Sequence, residues 1–123
     1  RFGGVMGRKL VLVSGDATDP TAAASEAARL ATREGVKIIT GTFSSTLCGA
    51  ASEAAARQNV IYWETSCVDP RFTRRGLNNV FRTEIDGLGF GWYNIEFVAK
   101  YLAPKLGKKP SELKIAYLAE DSS

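Results

Sequence analysis

Histidine is absent from this 123-residue sequence. That excludes a Ser–His–Asp triad, a Cys–His dyad, histidine acid–base catalysis and any histidine metal site. Cysteine occurs twice, too few for a four-thiolate zinc site. No apolar run reaches the ~18 residues of a membrane span, and the first residues do not read as a signal peptide. No internal repeat, linker or low-complexity stretch interrupts the chain. Charge of one sign is also scarce: 16 basic residues face 13 acidic ones, for a net +3. The densest basic groups, Arg74/Arg75 and Lys105 to Lys109, lack the interleaved aromatics of a single-strand nucleic-acid surface. They read as solvated faces, and no nucleic-acid partner is expected.

What is present is ordinary globular composition, 45% hydrophobic and 24% charged. A chain of this length can bury about two thirds of its unfolded surface, enough for one core. Short β-rich runs alternate with alanine-rich helical runs. Strands are expected at 9–14, 36–40, 60–63, 79–83 and 114–119. The first helix should begin with Asp19 as N-cap and Pro20 in its first turn, and run to about Glu34 before Gly35. Its inner face would be Ala23, Ala27, Leu30 and Ala31. A serine-capped helix follows over 46–57, with Leu47, Ala50, Ala51, Ala54 and Ala55 inward and Asn59 ending it. A third helix should span 87–102 and stop at Pro104.

Such alternation implies an α/β fold: a three-layer, doubly wound, mostly parallel sheet with helices on both faces. Ligands in these sheets bind beyond the carboxyl ends of the strands. Three loops qualify: Gly15–Asp19, Gly41–Ser45 and Glu64–Val68. In the second, Phe43, Ser44 and Ser45 precede a helix whose N-terminal N–H groups attract anions. Simple N-capping is the competing reading of those serines. In the third, Thr65, Ser66 and Cys67 can add hydroxyl and backbone groups to the same small ligand. Trp63 reads as core, or else as a pocket wall. Cys48 and Cys67, nineteen positions apart, fit neither CxxC nor zinc spacing. They read as two buried small residues, or as a disulfide if the compartment is oxidising. Gly87-x-Gly89-x-Gly91 breaks the dinucleotide pattern at Trp92, and no phosphate-loop lysine exists. No cofactor and no metal are expected. A small flavodoxin-like enzyme lacks its phosphate loop and its paired acids, so catalysis is not expected.

Four segments in order resemble a known family. They are Gly7-Arg8-Lys9-Leu10-Val11-Leu12-Val13 with Asp16, Asp19-Pro20 and Ala24; Val36-Lys37-Ile38-Ile39 with Gly41 and Ser44-Ser45; Asp69-Pro70-Arg71-Phe72-Thr73 with Gly76 and Val80 to Thr83; and Lys114 to Leu118 with Glu120-Asp121. Together they are similar to the branched-chain (hydrophobic) amino-acid-binding family of ABC-transporter solute-binding proteins. The resemblance implies a type I periplasmic binding protein: two α/β lobes joined by hinge strands, closing on a ligand without catalysis. Residues 1–123 would be part of the N-terminal lobe, lacking its first strand–helix unit. The ligand would be an amino acid, an aromatic or aliphatic carboxylate or a related amide, and the macromolecular partner an ABC permease. The setting would be periplasmic or lipid-anchored extracytoplasmic, with a signal peptide in the precursor. A ligand-sensing regulator or receptor domain of the same fold is the alternative. By resemblance, Ser45 and Ser44 hold the ligand's carboxylate or amino group, and Ser66 and Cys67 lie in the second contacting loop. A threonine common in the family is Val68 here, so that hydroxyl is absent. The family's known disulfide does not map onto Cys48 and Cys67. A lobe without its first strand would leave an interior sheet edge open, and the chain is then expected to self-associate or swap.

Overall fold

The computed structural model describes residues 4–116 and 118. The chain divides into two compact units, residues 1–86 and 87–123.

The first unit holds a parallel three-stranded sheet in the order β1 (Ile38–Thr40), β2 (Ile61–Glu64), β3 (Val80–Arg82). Between them run α1 (Pro20–Thr32), before β1, and α2 (Ser45–Arg57), linking β1 to β2. Asp19 caps α1 as expected: its Oδ1 accepts the Ala22 N–H at 2.9 Å, with Pro20 in the first turn. Gly35 and Asn59 both adopt positive φ, +68° and +55°, just beyond the helices they close. The helix faces read from spacing also hold: Ala23 and Ala27 of α1 and Ala51, Ala54 and Ala55 of α2 are buried. Alanine on both helices allows close approach, and both join one core with the sheet.

The sheet's period of two divides its residues cleanly. Ile39, Tyr62 and Val80 stand in register across the three strands and are buried. Thr40, Trp63 and Phe81 form the adjacent row on the opposite face, where Trp63 is 46% and Phe81 52% exposed. Trp63 is therefore not core; its Nε1–H donates to Thr83 Oγ1 at 3.2 Å.

Two expected strands are not found. Lys9–Ser14 has the composition of a buried parallel strand, yet it joins no ladder, and Leu10, Val11 and Leu12 are exposed. A strand exists only where a neighbour accepts and donates its hydrogen bonds. Here residues 10–15 line a cavity of about 540 Å³ together with α1 and residues 36–42, the stretch containing β1, and form no ladder with it. The segment is anchored instead by Arg29 of α1, whose guanidinium donates to Ser14 O at 3.1 Å. The last expected strand, 114–119, is unpaired over its described residues 114–116 and 118; Tyr117 and Ala119 lie outside them.

The second unit opens with α3 (Gly87–Phe97), which buries none of its residues. It continues through a wide helical turn at Val98–Leu102 into α4 (Ala103–Lys105). Pro104 thus lies inside the helical run and does not end it. In the wide turn the Ala103 N–H bonds back to Val98 O, which brings the proline to the start of a new turn where no donor is required. Among the described residues, no helix is long and apolar enough to cross a membrane.

Tyr62 is fully buried and its hydroxyl has no hydrogen-bond partner. Burial pushes its phenol well above the usual range, and the nearby Glu64 carboxylate adds to the shift. Tyr62→Phe is therefore expected to raise the unfolding free energy by about 1 kcal/mol, by removing an unsatisfied buried hydroxyl. It should also abolish a loss of stability above the ordinary tyrosine pKa of 10.0, where the unfolded tyrosine ionises and the folded one does not. Urea unfolding at pH 7 and at about pH 10.5 checks both effects.

Candidate functional site

β1 and β2 are adjacent and parallel, so the loops that follow them leave the same edge of the sheet. After β1 the chain turns at Gly41, whose φ of +120° suits only glycine, and passes a cis Gly41–Thr42 bond into the serine loop. Thr42 Oγ1 donates to Ser44 O at 3.1 Å. Ser44 is the N-cap of α2, but its side chain makes no capping hydrogen bond. The first α2 turn therefore keeps N–H groups and the positive end of the helix dipole available. Ser44 and Ser45 are half-buried, and Phe43 is 88% exposed. Ser45 lines a groove of about 260 Å³ with Gly49, Asp69, Arg71, Phe72 and Arg75.

After β2 the chain enters Glu64–Cys67. Glu64 is fully buried, and its Oε1 accepts three consecutive N–H groups, from Thr65 at 2.9 Å, Ser66 at 2.8 Å and Cys67 at 3.1 Å. Those N–H groups thus face inward; the loop's outward offer is its hydroxyls and carbonyls. Thr65 is exposed and Ser66 half-buried. Cys67 is buried, and its polar groups are engaged: the N–H with Glu64, the carbonyl with Arg82 at 3.2 Å, and the sulfur in a disulfide to Cys48. It anchors the loop to α2 through Cys48 and to β3 through Arg82.

The Cys48–Cys67 bond joins the first turn of α2 to the end of the β2 loop, with the Cα atoms 6.4 Å apart. Both cysteines are buried, but they are bonded to each other, so of the two readings the disulfide holds and the pair of free thiols does not. The bond holds the serine loop beside Thr65 and Ser66, an association that spacing alone did not require. Sulfur and carboxylate donors of Cys48, Glu64 and Cys67 fall within 4.8 Å of one another. With the sulfurs joined to each other, the group has no thiolate to offer a metal.

Two structural residues of the site escaped sequence reasoning. Arg75 is half-buried: its guanidinium donates to Gly49 O at 3.1 Å, to Ser52 Oγ at 2.6 Å and to Phe72 O at 3.1 Å, and lies 5.2 Å above the Phe72 ring. It staples the 72–75 turn to α2 and is not part of a solvated basic face; Arg74 is exposed. Glu64 was detectable from parity, because in β2 it shares a face with Tyr62 two residues earlier. Beside them, the Arg71 guanidinium and N–H hold the Asp69 carboxyl below its usual range.

Parallel strands, an open helix N-terminus and two hydroxyl-bearing loops thus meet at one sheet edge, the end at which α/β lobes take ligands. The sequence model of the family described as periplasmic binding protein matches residues 1–121. "Leu/Ile/Val-binding protein homolog 7" of Brucella suis biovar 1 (strain 1330) is 46% identical over 121 residues, covering 98% of this chain and 30% of that protein. "Leu/Ile/Val-binding protein homolog 8" of Brucella abortus (strain 2308) is 40% identical over 121 residues, with the same coverage. The chain belongs to the periplasmic binding protein family. It spans about 30% of the length of the curated relatives it matches.

A disulfide closing a loop of this size stabilises by about 3 kcal/mol. Chain reduced in urea and refolded with dithiothreitol should lose about 2–4 kcal/mol of unfolding free energy relative to the oxidised chain. Coincident urea midpoints would show that the core holds the two loops together unaided.

Proposed function

We propose that this chain is part of the N-terminal lobe of an extracytoplasmic solute-binding protein. The protein captures a small carboxylate ligand, such as an amino acid, an aromatic acid or a related amide, between two lobes. It releases that ligand to an ABC-transporter permease and catalyses nothing. The setting is periplasmic or lipid-anchored. The observation that carries this reading is the uncapped N-terminus of α2. Its first-turn N–H groups and the Ser44 and Ser45 hydroxyls are not consumed by capping, and the disulfide keeps them beside Thr65 and Ser66. A carboxylate at that position gains from both the dipole and the hydrogen bonds. Family membership and the names of the Brucella relatives favour a branched aliphatic amino acid as first candidate. Capture would bring the lobes together by hinge closure, and the closed form would be what the permease receives.

The test is calorimetric titration of the full protein that carries this chain with L-leucine, L-phenylalanine and 4-methylpentanoate. Binding of at least one is expected, and no heat with any of them would remove the carboxylate reading. Ser45→Ala should weaken the bound acid by about 1–2 kcal/mol, the worth of one hydrogen bond to a charged group. An unchanged dissociation constant would take Ser45 out of the site.

Self-association of the 123-residue chain belongs to the same reading. The edge of β1 away from β2 carries no ladder among the described residues, and it borders the 540 Å³ cavity. Sedimentation at micromolar concentration should show dimers or larger species. A monomer would mean that the edge is covered within one chain.

A further inference from the structure

Of the acidic residues described, Glu64 alone is buried. A carboxylate taken from water must be compensated, and here three convergent N–H dipoles on Oε1 do so. Oε2 is buried as well and has no hydrogen-bond partner. A residue needed only for packing would not carry an unsatisfied oxygen, and an apolar side chain would fill the space at lower cost. The distinctive consequence of Glu64 is the direction of three peptide groups. With the Thr65, Ser66 and Cys67 N–H groups turned inward, the loop has only oxygen acceptors and hydroxyls to offer outward. Across the disulfide, α2 presents the opposite polarity, with donor N–H groups at its N-terminus. Two tethered loops of opposite polarity suit a ligand with a negative group at one end and an N–H-bearing group at the other.

We propose that Glu64 is the positioning residue that sets this polarity. By drawing three N–H groups inward it makes the 65–67 loop the receiver of the ligand's amino or amide N–H, and leaves the ligand's carboxylate to α2. The inference rests on the ligand-binding reading above and extends it to specificity. Glu64 does not touch the ligand.

Two variants separate the possibilities. Glu64→Gln keeps an acceptor oxygen for the three N–H groups and places an amide donor near the unpartnered Tyr62 hydroxyl. Glu64→Ala keeps neither. Both are made in the full protein, and circular dichroism confirms that each folds. Hydrogen-exchange mass spectrometry of the peptide spanning residues 64–68 reads the loop directly, without a ligand. Protection is expected in the wild type and in Gln, and should fall about tenfold or more in Ala. Titration then compares L-leucine with 4-methylpentanoate, the same skeleton without the amino group. The wild-type preference for L-leucine should fall about tenfold in Ala and stay within about threefold in Gln. Equal weakening of both acids in Ala would reduce Glu64 to a purely structural part and overturn the proposal. So would a 64–68 peptide that exchanges freely in the wild type. A wild type that binds neither acid would overturn the ligand reading and the polarity with it. In that case, protection lost in Ala and restored in Gln would still assign the loop's shape to Glu64.

Discussion

The central strand β2 organises the first unit. It is hydrogen-bonded to β1 on one side and β3 on the other, so its register is held from both directions. That fixes the parity of its side chains. Tyr62 then joins the core with the alanines of α1 and α2, Glu64 is buried on the same face of the strand, and Ile61 and Trp63 lie on the far face. Shifting β2 by one residue would bury Trp63 against helices whose alanines leave no room for it. It would also expel the carboxylate that shapes the following loop.

From that parity the site follows in steps. Glu64 at the carboxyl end of β2 gathers the next three N–H groups and curls the loop back over itself. The curl delivers Cys67 to Cys48 in the first turn of α2. Arg82 of β3 then holds the Cys67 and Asp69 carbonyls, at 3.2 and 2.8 Å, and Arg75 ties the following turn to Gly49 and Ser52 of α2. The loop of one strand, the helix after its neighbour and the edge of a third are thereby locked together. Among the described residues, the α2 N-terminus and the hydroxyls of Ser44, Ser45, Thr65 and Ser66 remain uncommitted at that edge.

Much of this was legible in the sequence because it is local. Asp19-Pro20 marks a helix start by cap chemistry, and Gly35 and Asn59 mark helix ends by their tolerance of positive φ. Alanines at helical spacing marked the faces of α1 and α2. Lys9–Ser14 shows where local reading stops. Its residues suit a strand, but strand formation depends on a partner's backbone, and it pairs with none although it lines a cavity together with β1. Pro104 shows the same limit in reverse. A proline forbids a donor at its own nitrogen, and the preceding wide turn removes the need for one.

The sequence by itself determined the α/β class, the parallel arrangement, the positions of three strands and three helices, the absence of histidine chemistry and the two loops proposed to face a ligand. Each follows from periodicity, capping or composition, which act over a few residues. Only the tertiary structure decided that Cys48 and Cys67 meet as a bond, that Cys67 anchors its loop, that Trp63 faces outward, and that Arg75 and Glu64 are structural centres of the candidate site. Those outcomes depend on which strands are neighbours and in what register. They are settled by hydrogen bonds between residues far apart in the chain, which no local pattern records.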